Sequence, residues 1–372
     1  MLTRRYAIAA CLSAAAGCGR RTASGFDGHA FVANEGSRAV AVVDLSSFTL
    51  VRHIPFAAPP TALIPYPKTR AVYTLTPETG AVHEIDAARW TVKRKAQVAD
   101  RAISMRLSPD VSALWVLCSQ PAQLVRVPLE SMREEARVPL PLEPVDFDLS
   151  AGGNLCAVSY GEHGAVTMFP LAGHRAGRSV PIGGKAGIAR FRSDGRYLIA
   201  ANVADRIISI LETPTGRVVT HLPLAIQPER FCFKADGGQL FVSGSGMDAV
   251  VIVYPYSTEV DGTLLAGRAP GAMAVSAPPG PEYLFVANPQ SGDVTVLDIE
   301  TRRVIAVVTV GGEPGHVSVT PDSQYALVLS RGSGNMAVIR IADVVPRRTR
   351  SAPLLAVIPV GSRPVSTAVL GV

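Results

Sequence analysis

The sequence predicts an all-β chain, a ring of eight four-stranded sheets closed on itself, and three observations carry that expectation. First, strand-like segments recur at a fixed spacing: FVAN at Phe31, YTLT at Tyr73, WVLC at Trp115, AVSY at Ala157, IAAN at Ile199, FVSG at Phe241, FVAN at Phe285 and LVLS at Leu327 lie 42 residues apart, with one step of 44. Second, Val43, Ile85, Val127, Phe169, Leu211, Val253, Leu297 and Ile339 keep one apolar phase through every unit, so the same buried face is rebuilt each time. Third, the segments are short, rich in β-branched residues and separated by tight turns such as Asp194-Gly195, Asp236-Gly237 and Pro321-Asp322.

Composition agrees. With 48% hydrophobic and 18% charged residues, the 372-residue chain is globular in kind, which excludes a disordered segment. Its length allows two or three average domains or one large one, and the repeat of about 42 residues decides for a single array.

Each unit holds four strands. In the seventh they read YLFVAN from Tyr283, DVTVLD from Asp293, VIAVVTV from Val304 and PGHVSVT from Pro314. Four antiparallel strands per unit, repeated around an axis, make a β-propeller, in which each blade covers its neighbour's face. A linear β-solenoid would need shorter repeats and parallel strands, without these turns. The repeats tile residues 29–372, and the array opens on a second-strand segment and ends on an innermost-strand segment, residues 364–370. The last strand is therefore expected to complete the first blade and close the ring.

The units YLFVANPQSGDVTVLDIETRRVIAVVTVGGEPGHVSVTPDSQ and HAFVANEGSRAVAVVDLSSFTLVRHIPFAAPPTALIPYPKTR resemble the YVTN-repeat β-propeller family over essentially the whole chain after the N-terminal segment. The resemblance implies the fold more sharply than the activity, because related propellers include surface-layer and binding proteins, lactonases and quinoprotein dehydrogenase subunits. Many members have seven blades, which makes seven the alternative to the eight counted here.

The N-terminal segment MLTRRYAIAACLSAAAGCGRR has a short basic region and an apolar run from Tyr6 to Ala16 too short to span a bilayer. It reads as an export signal over residues 1–17. Ala15-Ala16-Gly17-Cys18 resembles a bacterial lipobox, with Ala15 where Leu is usual, so Cys18 is the expected lipidation site and residues 18–28 a tether. Thr3-Arg4-Arg5-Tyr6 also resembles a twin-arginine signal; an ordinary cleaved signal peptide or a buried helix are the alternatives. The expected location is the periplasm or cell surface, with the chain held to a membrane by its lipid.

Formal charge is +6, and removing Arg4 and Arg5 with the signal lowers it by two. The cations are mostly Arg and are scattered rather than clustered, which argues against a nucleic-acid-binding stripe. Outside the signal, Cys118, Cys156 and Cys232 form an odd, widely spaced set with no CxxC and no Cys/His pairing, so buried free thiols are expected rather than disulfides or a metal.

Propellers place ligands at the mouth of the central channel, so the innermost strands hold the candidate site. Counting from the residue that opens each one, odd positions are mostly apolar (Phe147, Leu149, Phe231, Phe233, Val317, Val319) and even positions small or polar. On the even face Arg106, Asp148 and Arg190 share one row on three successive blades, with Asp146 and Arg230 one level away. An Arg106–Asp148–Arg190 ion-pair ladder facing the channel is expected. It either neutralises itself without binding anything or, with three Arg against two Asp, takes an anionic ligand.

Arg101, Glu143, Lys185, Glu229, Glu313 and Arg363 add charge on the loops above. His316 is the one histidine placed towards the channel, and beside Glu313 it could act as a base or a haem or metal ligand, though a hydrogen-bonded strand residue is the plainer reading. Asp44, Asp86, Glu212 and Asp298 read as turn formers, Asn34, Asn202 and Asn288 as strand-end turn residues, and Phe31, Tyr73, Trp115, Phe241 and Phe285 as blade packing. No nucleophile motif is present, and no cofactor or metal is implied. The expectation is a non-catalytic binding or interaction module whose partner is an envelope protein or a polar, anionic small ligand. A lactonase-like hydrolase or a quinone- or haem-associated redox propeller is the alternative.

Overall fold

The computed structural model describes residues 25–173, 175–213, 215–344 and 353–371. The segment expected to be a signal, Cys18 and most of the expected tether lie outside these residues, as does the Arg-bearing insertion of residues 345–351. Eight four-stranded antiparallel sheets form the ring, with short 3₁₀ turns as the helical content of the described residues. In blade 1 the strands Thr49–Pro55, Ala39–Asp44 and Gly28–Asn34 run from outside inwards, and Pro364–Gly371 supplies the innermost strand from the far end of the chain. The ring is closed as expected. Ala30 pairs with Val43 on one side and Val369 on the other, so main-chain hydrogen bonds join the two ends of the array.

The core lies between blades. Eight apolar clusters are found, one at each interface between successive blades. Phe31, Tyr73, Trp115, Phe241 and Phe285 are at most 4% exposed, which fits the packing column read from the repeat. Each fully buried large side chain contributes about 1.5–3 kcal/mol, so a blade without its neighbour would lose most of its stabilisation.

Turn chemistry follows the sequence pattern. Asp86 accepts the backbone N–H groups of Ala88 and Arg89, which holds its carboxyl below the usual range. Asp44 and Asp298 cap the equivalent turns, and Glu212 accepts from Thr215 Oγ1. Asn34 donates to Val360 O at 2.9 Å and Asn202 to Ile182 O at 3.1 Å, tying strand ends to neighbouring loops.

Odd positions of each innermost strand pack on the preceding blade: Phe147 and Leu149 join Trp115 of blade 3, and Val317 and Val319 join the cluster of blade 7. The even positions Arg106, Asp146, Asp148, His316 and Ser366 reach the inner strand of the following blade, whereas Arg190 turns back to Asp146 of blade 4. Ala368 is accordingly only 3% exposed, buried against blade 2, whereas the sequence pattern put it on the open face.

Candidate functional site

The charged arc sits on the innermost strands of blades 3, 4 and 5, Arg101–Leu107, Asp146–Leu149 and Ala186–Phe191. Its pairing differs from the expected ladder. Arg106 Nη1 lies 3.5 Å from Asp148 and Nη2 lies 3.9 Å from Asp146, but Arg190 pairs with Asp146 rather than with Asp148. Asp148 instead accepts the Phe191 N–H at 2.9 Å, Asp146 accepts the Ala189 N–H at 3.2 Å, and Arg106 Nε donates to Phe147 O at 2.7 Å.

The physical reason is the free edge. An innermost strand has a neighbour within its blade on one side only, and its outer-facing amides need partners. Here the charged side chains of blades 3 and 4 satisfy the open edge of the next strand, a carboxylate taking N–H groups and a guanidinium giving to C=O, while Arg190 of blade 5 gives to Asp146 and to its own Ala189 carbonyl. Burial raises the Asp148 pKa, against the opposing pull of Arg106. Burial lowers the pKa of Arg106, and Arg190 adds to that effect.

Elsewhere uncharged groups do the same work: Ser366 Oγ accepts the Leu63 N–H of blade 2 at 3.3 Å. His316 instead meets a side chain of the next strand. Its Nε2 lies 3.1 Å from Thr367 Oγ1, which is also 2.6 Å from Ser318 Oγ, and burial takes its pKa down to about 4, so the ring is neutral at pH 7. It makes no bond to Glu313, which is exposed on the loop above.

Arg230 and Glu313 fall in a different place. A cleft of about 970 Å³ opens over blades 6 to 8 on the face where outermost strands hand over to innermost ones. Its charged lining is Glu229, Arg230, Arg268, Glu313 and Arg331, and its floor is Gly271, Ala272 and Gly315. Arg230 and Arg268 are exposed, and neither guanidinium has a hydrogen-bond or ion-pair partner among the described residues. Arg331 reaches Glu35 at 3.4 Å, and Glu229 accepts from Ser245 Oγ.

A second cavity of about 300 Å³, over blades 4 to 6, is lined by Asp146, Lys185, Arg190 and again Glu229 and Arg230. The structure thus gathers Asp146, Arg190 and Arg230 at one cavity, puts Arg106 and Asp148 in the strand-edge network, and leaves His316 apart. Arg268 and Arg331 escaped the strand columns because they sit on loops. The signal that could have found them is the small floor, Gly271-Ala272 at the entry to one innermost strand and Gly315 on the next, where a missing side chain leaves room for a ligand.

Among the described residues no three His, Cys, Asp or Glu side chains are gathered as a metal site would need. Cys118, Cys156 and Cys232 are free thiols, each pushed up by burial, Cys118 and Cys232 to about 12.

Comparison with known proteins bears on the fold. A search of protein-family models finds no match. A curated relative, the seven-bladed beta-propeller protein Rv1057 of Mycobacterium tuberculosis (strain ATCC 25618 / H37Rv), is 31% identical over 159 residues. That match spans 41% of this chain and only 37% of the relative. Among solved structures, the dihydro-heme d1 dehydrogenase NirN in complex with DHE superposes with a TM-score of 0.76 over 92% of this chain and 75% of its own, at 16% identity. The chain is a β-propeller. Its eight blades exceed by one the number in the relative's name. Kuenenia stuttgartiensis hydrazine synthase (TM-score 0.58, 18% identity, 76% of this chain and 96% of that one) is also similar. So is a functionally unknown protein from Desulfotomaculum acetoxidans DSM 771 (0.63, 12%, 92% and 99%). At these identities the likeness concerns the fold alone.

Proposed function

We propose that this propeller is an exported, lipid-tethered binding module of the YVTN-repeat type, taking an anionic ligand at the blade 6 to 8 cleft. The observation that carries the reading is the pair of guanidiniums, Arg230 and Arg268, on the wall of that cleft, which have no partner among the described residues. Two such forks hold a carboxylate or phosphate by charge-assisted hydrogen bonds, and a rigid ring keeps the ordering cost of binding low. The ligand is a polar anion, free or carried by an envelope protein.

The described chain begins at Gly25, packed against the Leu45–Ser46 turn on the face opposite the cleft. An anchor at Cys18 would therefore leave the cleft turned away from the membrane.

A second reading, a redox-associated propeller, is favoured by the likeness to the dehydrogenase NirN and to hydrazine synthase. The cleft arginines suit the acid groups of a tetrapyrrole. His316 bonds Thr367 through Nε2 and does not line that cleft.

Native mass spectrometry with an ultraviolet–visible spectrum, on protein extracted from its own host's membrane, separates the two. A mass for residues 18–372 plus acyl chains, with no chromophore, is the expected result; a bound haem, quinone or metal overturns it.

A further inference from the structure

The cleft over blades 6 to 8 differs in charge between its two ends. At the blade 6 and 7 end the guanidiniums of Arg230 and Arg268 are exposed and have no partner among the described residues. The carboxylates there are turned elsewhere, Glu229 to Ser245 Oγ and Asp248 to the Ala269 N–H at 2.9 Å.

At the blade 8 end the pattern is reversed. Arg331 and Arg363 both turn to Glu35 of blade 1, at 3.4 and 3.6 Å. Glu313 lines the cleft, is exposed, and its carboxylate has no partner among the described residues, although its main-chain carbonyl accepts the Arg331 N–H at 2.9 Å. The guanidinium whose backbone adjoins Glu313 is thus committed to the next blade, and the carboxylate is left uncompensated. Between the two ends the floor is small, Gly271, Ala272 and Gly315, and a Cβ added at Gly271 would meet nothing nearer than 3.8 Å. A ligand can therefore lie close to the backbone from one wall to the other.

We infer that the cleft takes a zwitterion, its anionic end held by Arg230 and Arg268 and its protonated amine by Glu313. This rests on the anion-binding reading of the cleft and adds a second, opposite charge to the ligand. A ligand anionic at both ends would meet Glu313 as repulsion, and one cationic at both ends would meet Arg230 and Arg268 in the same way. Opposite charges at the two ends satisfy all three groups, and complementarity of this kind acts mainly by selecting among ligands.

The test is calorimetric titration of the full chain at low salt with two pairs of matched length, γ-aminobutyrate against succinate and ε-aminocaproate against adipate, and with hexamethylenediamine. Exchanging a repelled carboxylate for an attracted ammonium at an exposed site is worth about fivefold, so the zwitterion of at least one pair should bind about fivefold more tightly than its dicarboxylate. Glu313→Gln should erase that preference and leave the dicarboxylates bound at least as tightly as before, while Arg268→Ala weakens both members of the pair. Dicarboxylates as tight as the zwitterions at both lengths, or a preference that survives Glu313→Gln, overturns the zwitterion inference while sparing the cleft reading. Absence of binding by zwitterions and dicarboxylates alike, or tighter binding of hexamethylenediamine than of either, overturns the cleft reading itself.

Discussion

The edge-capping role of the charged arc can be put to a stability test at Asp148. Replacing it by alanine removes the acceptor of the Phe191 N–H at 2.9 Å and one counter-charge of Arg106 at 3.5 Å. A hydrogen bond to a charged acceptor is worth about 1.5–3 kcal/mol, and breaking a fully buried ion pair costs about 3–5 kcal/mol. The second figure has to be discounted: the two side chains keep 14% and 31% of their surface, and Arg106 retains Asp146 and the Phe147 carbonyl. Burial also raises the Asp148 pKa, so the charge as such is a net cost in the fold and the benefit lies in the acceptor.

Asp148→Ala is therefore expected to lose about 2–3 kcal/mol, and Asp148→Asn, which keeps an acceptor, about 1 kcal/mol or less. Urea unfolding followed by circular dichroism measures both. A loss below about 0.5 kcal/mol for alanine, or equal losses for the two variants, would refute the capping argument.

Three further outcomes are expected. Arg192, 6% exposed, is clamped between the rings of Tyr197 and Tyr256 at 4.3 and 4.5 Å and forked onto Asp194. Arg192→Met should cost about 2–4 kcal/mol, measured by urea unfolding, with Arg192→Lys recovering little of it because the planar fork and stacking are lost. Burial lowers His316 and His83 from 6.5 to about 4, so the unfolded chain takes up these protons first as pH falls. Stability is full above pH 6.5, declines from there to about 4, and declines less in His316→Gln and His83→Gln, by unfolding curves taken across that range. Finally, the three thiols should resist a maleimide probe at pH 8 in the folded protein and react on denaturation, as mass spectrometry would count.

The blade number, the ring closure and the phase of each innermost strand were legible because a propeller rebuilds one buried face per repeat, and that constraint writes itself into columns such as Val43 to Ile339. The same columns put Arg106, Asp146, Asp148 and Arg190 on adjacent inner strands. They could not tell that Arg190 meets Asp146, because the relative slide of neighbouring blades is set by packing between sheets and not by any one repeat. Nor could strict alternation anticipate the bulges at Gly187-Ile188 and at Gly315, where the skipped residues reset the register. The cleft was hidden for a related reason. Arg268 and Arg331 lie on turns whose convergence depends on how blades 6 to 8 pack side by side, and the floor between them is of small residues.

The cleft itself is tested most directly by succinate titration of the wild-type chain beside Arg230→Ala, Arg268→Ala and Asp148→Asn. The expected result is saturable binding that Arg230→Ala abolishes, Arg268→Ala weakens by about tenfold or more, and Asp148→Asn leaves within about twofold. Binding unchanged in both arginine variants, or lost in Asp148→Asn with its fold intact, would move the anion site away from the cleft and into the charged arc.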